Sequence, residues 1–286
     1  MTGLPEDLAR RDDDAGTVTA TPLLLPGDGP AVHRIREAGR VGGQASVLFV
    51  CDHASNAIPM RLDHLGLTTA DRERHIAFDP GAAPVTEYLA RRFGAPALMA
   101  GFSRLVIDPN RALDQAGLVP LESDGTVIPG NRNLSTAEIR ARIETLWQPY
   151  HDAIEETLAE MAGSGDIPVL ISIHSFTPEL RAGPAAERPW QVSVLWNRDD
   201  RLARPLIRAL AAAGLIVGDN EPYSGFEGLT HTNDIHALIR GYPHVELEIR
   251  QDVIADAAGQ AAYATLIGDA LAPLLAEPEL RRIAVV

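Results

Sequence analysis

The chain has 286 residues, 45% of them apolar, with a formal net charge of -14 and a pI near 5.0. This is enough apolar material for the core of one large α/β domain and the wrong sign for a nucleic-acid footprint. All 25 basic residues are arginine, and Cys51 is the single cysteine, which excludes lysine Schiff-base chemistry, a Walker lysine, an internal disulfide framework and a CxxC site.

Residues 1–44 are rich in Gly, Pro, Asp and Arg and show little periodicity. They read as a tail with at most one edge element, ahead of a domain over 45–286. The acidic start, with Glu6, Asp7 and Asp12 to Asp14, does not read as a signal peptide. No stretch reaches the apolar length of a membrane span, so a cytoplasmic protein is expected. From Ser46 the texture changes. "SVLFVC" reads as a buried strand, and "TEYLARRFG", 86–94, as an amphipathic helix ending at Gly94. "APALMAG" and "RLVIDPN" are each short enough and apolar enough for strands. Residues 135–163 form a long helical pattern that opens on a capping box, Ser135 with Glu138, and that Pro149 should kink or split. "PVLISIH" and "QVSVLWN" read as strands, 200–213 as a helix, "HVELEIR" (244–250) as a strand and 256–275 as a last helix. Strands alternating with helices predict a single three-layer α/β/α domain with a mixed, largely parallel sheet.

The polar residues cluster near strand ends. His53 follows the first strand; Arg104, Asp108, Asn110 and Arg111 bracket "LVIDPNR"; His174 and Ser175 follow "VLISI"; Glu246 and Glu248 punctuate "VELEIR". In an open α/β sheet, side chains past the carboxyl ends of neighbouring strands converge on one crevice. Two histidines there suit zinc, which takes imidazole nitrogen, a third N or O ligand and water. A nearby carboxylate would act as general base, and arginine would hold a carboxylate or an oxyanion. Plainer readings stand beside these. Each histidine can be a hydrogen-bonded structural residue, Asp108 can serve only to fix the turn at Pro109, Arg111 can pair with Asp108, and the two glutamates can lie on a solvated face or pair with arginine.

Seven segments, "CDHASNAIP", "HIAFDPGAA", "FSRLVIDPNR", "PYHDAI", "ISIHSFTP", "NEPYSG" and "VELEIRQD", occur in that order from Val47 to Asp252. Together they resemble the N-formylglutamate amidohydrolase family, which is distantly similar to the zinc carboxypeptidases. The resemblance implies hydrolysis of the amide of an N-formyl or other N-acyl amino acid by metal-activated water. It implies zinc held by His53 and His174, and Arg104 polarising the carbonyl. Asn110 and Arg111 would grip the substrate carboxylate, with Ser175 also in the substrate site, and Glu248 would be the base. Strand alternation puts Glu246 and Glu248 on one face, so the choice of Glu248 rests on the resemblance. The sequence departs from the carboxypeptidase pattern at Asn56, three residues after the first histidine, where those enzymes place a glutamate ligand. Asp79 is the candidate for the third ligand and Asp52 the second choice. The expected partner is a small N-acyl amino acid, with no nucleic acid and no membrane. The alternatives are a metal-free binding protein for small carboxylates and an inactive relative.

Overall fold

The computed structural model describes residues 22–35, 46–182, 187–280 and 282–284. In chain order its strands are β1 (Val32–Ile35), β2 (Ser46–Cys51), β3 (Ala97–Ala100), a small hairpin β4 (Glu122–Ser123) and β5 (Thr126–Val127), then β6 (Pro168–Phe176), β7 (Val192–Leu195), β8 (Val217–Asp219) and β9 (His244–Arg250). The main helices are α1 (Ala82–Phe93), α2 (Thr136–Arg142), α3 (Gln148–Gly163), α4 (Ala203–Ala212), α5 (His231–His236) and α6 (Ala257–Ala276). Seven strands make one mixed sheet in the order β1-β3-β2-β6-β9-β7-β8. The central run β3, β2, β6 and β9 is parallel; β1 is antiparallel to β3, and β7 is antiparallel to β9 but parallel to β8.

Alternation along the strands divides the core into two layers. Val47, Phe49 and Cys51 of β2, Val169, Ile171 and Ile173 of β6, and Val245, Leu247 and Ile249 of β9 face α1, α4 and α6. Leu48, Val50 and Leu170 face the other way, onto Tyr150, Ala153, Ile154 and Leu158 of α3. Each such aliphatic side chain, fully buried, stabilises the fold by about 1.5–3 kcal/mol. On this second face the apolar run stops within β6 and β9: Ser172, His174, Glu246 and Glu248 take the positions where further aliphatic residues would stand, and all four are buried. A polar strip is thus set into the sheet itself. The glutamates do not lie on a solvated face.

Most of the expected elements form, with two corrections. The segment Arg104 to Asn110 is not a strand but a series of turns. Its backbone groups are satisfied one by one instead of by a ladder: Asp108 N donates to Leu118 O (2.8 Å), Asn131 Nδ2 to Leu105 O (2.8 Å) and the buried Arg142 guanidinium to Val106 O (2.8 Å). The long helix opens on the expected capping box and is split by a π turn, Ile143–Trp147, where Gln148 N reaches back to Ile143 O. Pro149 then falls in the first turn of α3, where its missing N–H leaves no bond unmade. Gly94 ends α1 in the left-handed conformation (φ 56°, ψ 34°). The tail reading of residues 1–44 lies outside the described residues except for 22–35, where β1 occupies the edge of the sheet. Among the described residues no helix is long and apolar enough to cross a membrane.

Candidate active site

Parallel pairing brings the site together. His174 on β6 is in register with Glu248 on β9, and Ser172 with Glu246. β2, the other neighbour of β6, ends at Cys51 and delivers Asp52 and His53. The rings of His53 and His174 meet edge to face with centroids 4.8 Å apart. Asp79 lies between them: its Oδ2 is 2.9 Å from His174 Nδ1 and 3.4 Å from His53 Nδ1. The turn that carries it is fastened by Asp79 N to His53 O (2.8 Å), and Ser175 N donates to the same Oδ2 (3.1 Å).

The far edge of each imidazole rests on another carboxylate. His53 Nε2 is 2.8 Å from Asp108 Oδ1, and His174 Nε2 is 3.0 Å from Asp52 Oδ2. Asp52 is fixed in turn by Thr232 Oγ1 (3.0 Å). Arg104 completes the cluster, donating to His53 Nδ1 (3.1 Å) and to Asp108 Oδ2 (2.9 Å), with Asp79 Oδ1 at 3.7 Å. His53, His174, Arg104, Asn110, Arg111, Glu246 and Glu248 line a cleft of about 250 Å³ together with Leu195, Tyr223 and Leu229.

Burial disfavours charge throughout this region, and the neighbours decide where charge survives. Burial alone would raise Asp108, Asp79 and Asp52, but their cationic neighbours prevail and hold all three below the usual range: Arg104 and His53 for Asp108, the two imidazoles for Asp79, chiefly His174 for Asp52. Burial would likewise lower His174, yet Glu246, Asp52 and Asp79 hold it well above its ordinary value. Arg104 is kept firmly cationic by Asp108 and Asp79 against the same penalty. The glutamates go the other way. Burial pushes Glu246 up to about 8 and Glu248 up to about 7, and one carboxyl oxygen of each has no hydrogen-bond partner.

These residues fit a divalent metal. One ligand atom from each of His53, Asp79 and His174 lies within 4.8 Å of the others, and a second such group, His174, Glu246 and Glu248, shares the same histidine. Two imidazoles with one carboxylate is a donor set zinc accepts. A carboxylate behind each imidazole is the arrangement that fixes the tautomer of a metal-bound histidine. Asn56 takes no part, since its amide donates to Arg72 O (3.1 Å).

Of the residues singled out in the sequence, Ser175 is the one turned away. As the residue after His174 it points to the opposite face of β6, donating to Pro80 O (2.9 Å) and receiving Gln251 Nε2 (3.2 Å). Both glutamates line the cleft, so facing does not separate Glu248 from Glu246. The side chain of Asn110 ties its loop to Leu229 O (2.9 Å) and Thr232 N (3.0 Å). Arg111 does not pair with Asp108: its Nη1 donates to Asn110 O (2.8 Å), and among the described residues no carboxylate lies within ion-pair distance of it. Sequence reasoning did not anticipate that Asp108 joins His53 to Arg104, nor that Tyr223, Leu195 and Leu229 wall the cleft. A carboxylate placed directly after the apolar "LVI" was the available signal for Asp108.

The family profile of the N-formylglutamate amidohydrolases matches residues 45–255. The chain belongs to this family. The match spans every residue of the cleft, and membership places the protein among amide hydrolases. A crystal structure of a gene product from Agrobacterium tumefaciens is 38% identical and superimposes with a TM-score of 0.81, covering 87% of this chain and 98% of its own. The N-formylglutamate amidohydrolase of Ralstonia eutropha JMP134 is 17% identical, with a TM-score of 0.57 over 86% of this chain and 97% of its own, and shares the fold. No curated protein is significantly similar in sequence.

Proposed function

We propose that this family member hydrolyses the amide of an N-formyl or other N-acyl amino acid of the N-formylglutamate kind, at a divalent metal site, with zinc the best match to the donors. The observation that carries the reading is the meeting of Asp79 with His53 and His174, two histidines of a cleft that also presents Glu248 and Arg111. His53 and His174 would hold the metal with Asp79, while Asp108 and Asp52 keep the two rings oriented. When bound, the metal would lower the pKa of a water and polarise the amide carbonyl.

Glu248 serves as the base. Raised to about 7, chiefly by burial, it is divided between its two forms near neutral pH, which suits a group that must both take a proton from water and return one to the leaving amine. The carboxyl oxygen that lacks a partner is free to do so. Arg104 is a fixed cation whose position against His53 and Asp79 allows it to stabilise charge developing on the carbonyl oxygen. Arg111 is left to receive the α-carboxylate in a bidentate fork. Asn110 anchors the loop and retains a second amide hydrogen for the same carboxylate.

The test is a hydrolysis screen of N-formyl, N-acetyl and N-succinyl amino acids by the purified protein, with and without added zinc or cobalt. Turnover that chelation removes and metal restores is the expected result. Tight binding of these compounds without turnover under any metal condition would overturn the reading.

A further inference from the structure

One wall of the cleft is apolar, and the chemistry above does not use it. Leu195, the last residue of β7, is buried. Val192 and Val194 of the same strand face the layer under α1, α4 and α6. Leu195 therefore points to the other face of the sheet, the one that carries Glu246, its register partner on β9. Tyr223 and Leu229 stand at the two ends of one loop, and that loop is fastened to the end of β7. Asn220 Oδ1 accepts from Trp196 N (3.0 Å), directly after Leu195, and from Gly225 N (3.1 Å). The approach is so close that a Cβ at Gly225 would stand 2.5 Å from Trp196 O. The far end of the loop is held by Asn110, whose Nδ2 donates to Leu229 O (2.9 Å). Leu195, Tyr223 and Leu229 are thus brought to the cleft by fixed backbone, and all three line it.

The charges of the cleft leave this wall without a counter-ion to offer. Two arginines line the cleft. Arg104 is paired with Asp108 (2.9 Å), and Arg111 is the one with no carboxylate within ion-pair distance among the described residues. Arg188 donates to Thr177 O (3.0 Å) and to the Tyr223 hydroxyl (3.3 Å), but it is not a lining residue. One free cation matches one carboxylate, the α-carboxylate of an N-acyl amino acid. A second carboxylate would be set against Leu195 and Leu229 or beside Glu246 and Glu248, and burying it unpaired is costly. An aliphatic chain laid on the same wall would instead cover the two leucines and remove its own surface from water.

We propose that Leu195, Tyr223 and Leu229 form an apolar subsite, so that the preferred substrate is an N-acyl amino acid with one carboxylate and one apolar chain. This rests on the amidohydrolase reading of the same cleft and narrows it. The chain can be the amino-acid side chain or an extension of the acyl group. The chemistry recognised is the same: aliphatic surface packed on leucine and a phenol ring, beside a few polar groups that fix orientation.

Two pairs of nearly isosteric substrates separate the sources. N-formylnorleucine against N-formylglutamate reads the side chain, and N-pentanoylalanine against N-succinylalanine reads the acyl chain. Wild type is expected to favour the apolar member of at least one pair by on the order of 10²-fold in kcat/KM, and the carboxylate member of neither, because that carboxylate would lose its hydration without a partner. Leu229→Arg, which sets a cation in the wall at a half-buried position, should turn the preference towards the carboxylate member. Leu195→Asn should reduce it; if that variant does not fold, Leu229→Arg alone decides. Wild-type ratios near one in both pairs, or preference for the carboxylate member of either, would overturn the subsite. So would an apolar preference that Leu229→Arg leaves unchanged, with both members of the pair slowed equally, which would make the leucine a support for its loop. Hydrolysis without apolar preference is thus a failure of the subsite alone, whereas no hydrolysis of any N-acyl amino acid removes the amidohydrolase reading and the subsite with it.

Discussion

Two pairs of buried histidines in this protein stand in opposite surroundings. His53 and His174 stand among Asp52, Asp79 and Asp108, and those carboxylates with Glu246 hold His174 well above its ordinary range although burial opposes it. His151 and His236 are stacked with centroids 5.1 Å apart and joined by a 2.8 Å hydrogen bond. Burial first, then the mutual repulsion of His151, His231, His236 and Arg240, pushes His151 down to about 3 and His236 down to about 2. Desolvation penalises charge in both places; what differs is the number of ionised carboxylates within reach. The first region is built to hold positive charge and the second to exclude it. The second still serves the first. His151 Nε2 donates to Pro109 O (3.0 Å), and Trp147 Nε1, delivered by the π turn, donates to Arg111 O (3.1 Å). His151 and Trp147 thus hold the backbone on either side of Asn110.

The comparison is most sharply tested at the carboxylates. Glu248→Gln should leave fold and metal content intact and lower kcat by about 10²–10⁴, the usual contribution of a general base. Steady-state kinetics beside metal analysis checks this, and wild-type turnover would move the role to Glu246, its neighbour on the same face. Next in size, Asp108→Asn should weaken metal binding by about 10–100-fold, because His53 loses the partner that fixes its tautomer. A competition titration against a chelating dye reads that directly. Unchanged affinity would mean that His53 is not a ligand.

How far the sequence led to this arrangement can be judged residue by residue. His53, His174 and Glu248 were legible because each follows or ends an apolar run, and parallel pairing then sets such positions side by side. Strand β9 was placed to the residue for the same reason. "RLVIDPN" was misread because its apolar run looks like a strand, while its hydrogen bonds go to Asn131 and Arg142, side chains that no local pattern connects to it. Ser175, the neighbour of His174, obeys the period-two rule of its strand and turns to the opposite face. Asp79 and Tyr223 reach the site from turns and loops, where periodicity carries no signal. Their approach to His174 and Arg188 is a property of the tertiary fold.

A smaller effect is expected at Arg111, whose loop His151 and Trp147 hold. Arg111→Lys should raise KM for N-acyl amino acids by about tenfold, since an ammonium replaces a bidentate fork with a point charge. The loss should be much less on substrates whose α-carboxylate is an amide. An equal loss on both, together with a lower melting temperature, would make the arginine structural.

The smallest effect, taken over any one pH unit, comes from the excluding pair itself, and its sign distinguishes the two regions. Pro109 O can only accept, so His151 carries its hydrogen on Nε2. Neutral His151 then accepts on Nδ1 from His236 Nε2–H. That leaves His236 Nδ1 bare, which is why it has no hydrogen-bond partner although Glu155 Oε2 is 3.5 Å away. In the unfolded chain both rings titrate near their ordinary value of about 6.5; in the fold they stay neutral until about 3 and about 2. Above about pH 6.5 neither state binds these protons and the pair adds no slope. Below it the unfolded state takes up protons that the fold refuses, so the stability present at neutral pH is lost as pH falls, by up to about 1.4 kcal/mol per unit for each ring. His174, whose folded value is raised, contributes with the opposite sign in the adjoining window: its stabilisation is fully present below about pH 6.5 and is lost as pH rises through the raised folded value. Urea unfolding at pH 7 and pH 5 separates the two regions when wild type is compared with His151→Gln/His236→Gln. The double variant should start less stable at pH 7 and lose distinctly less on acidification. Equal losses in the two proteins would show that His151 and His236 already take up protons in the fold, and the contrast between a region that holds charge and one that excludes it would not stand.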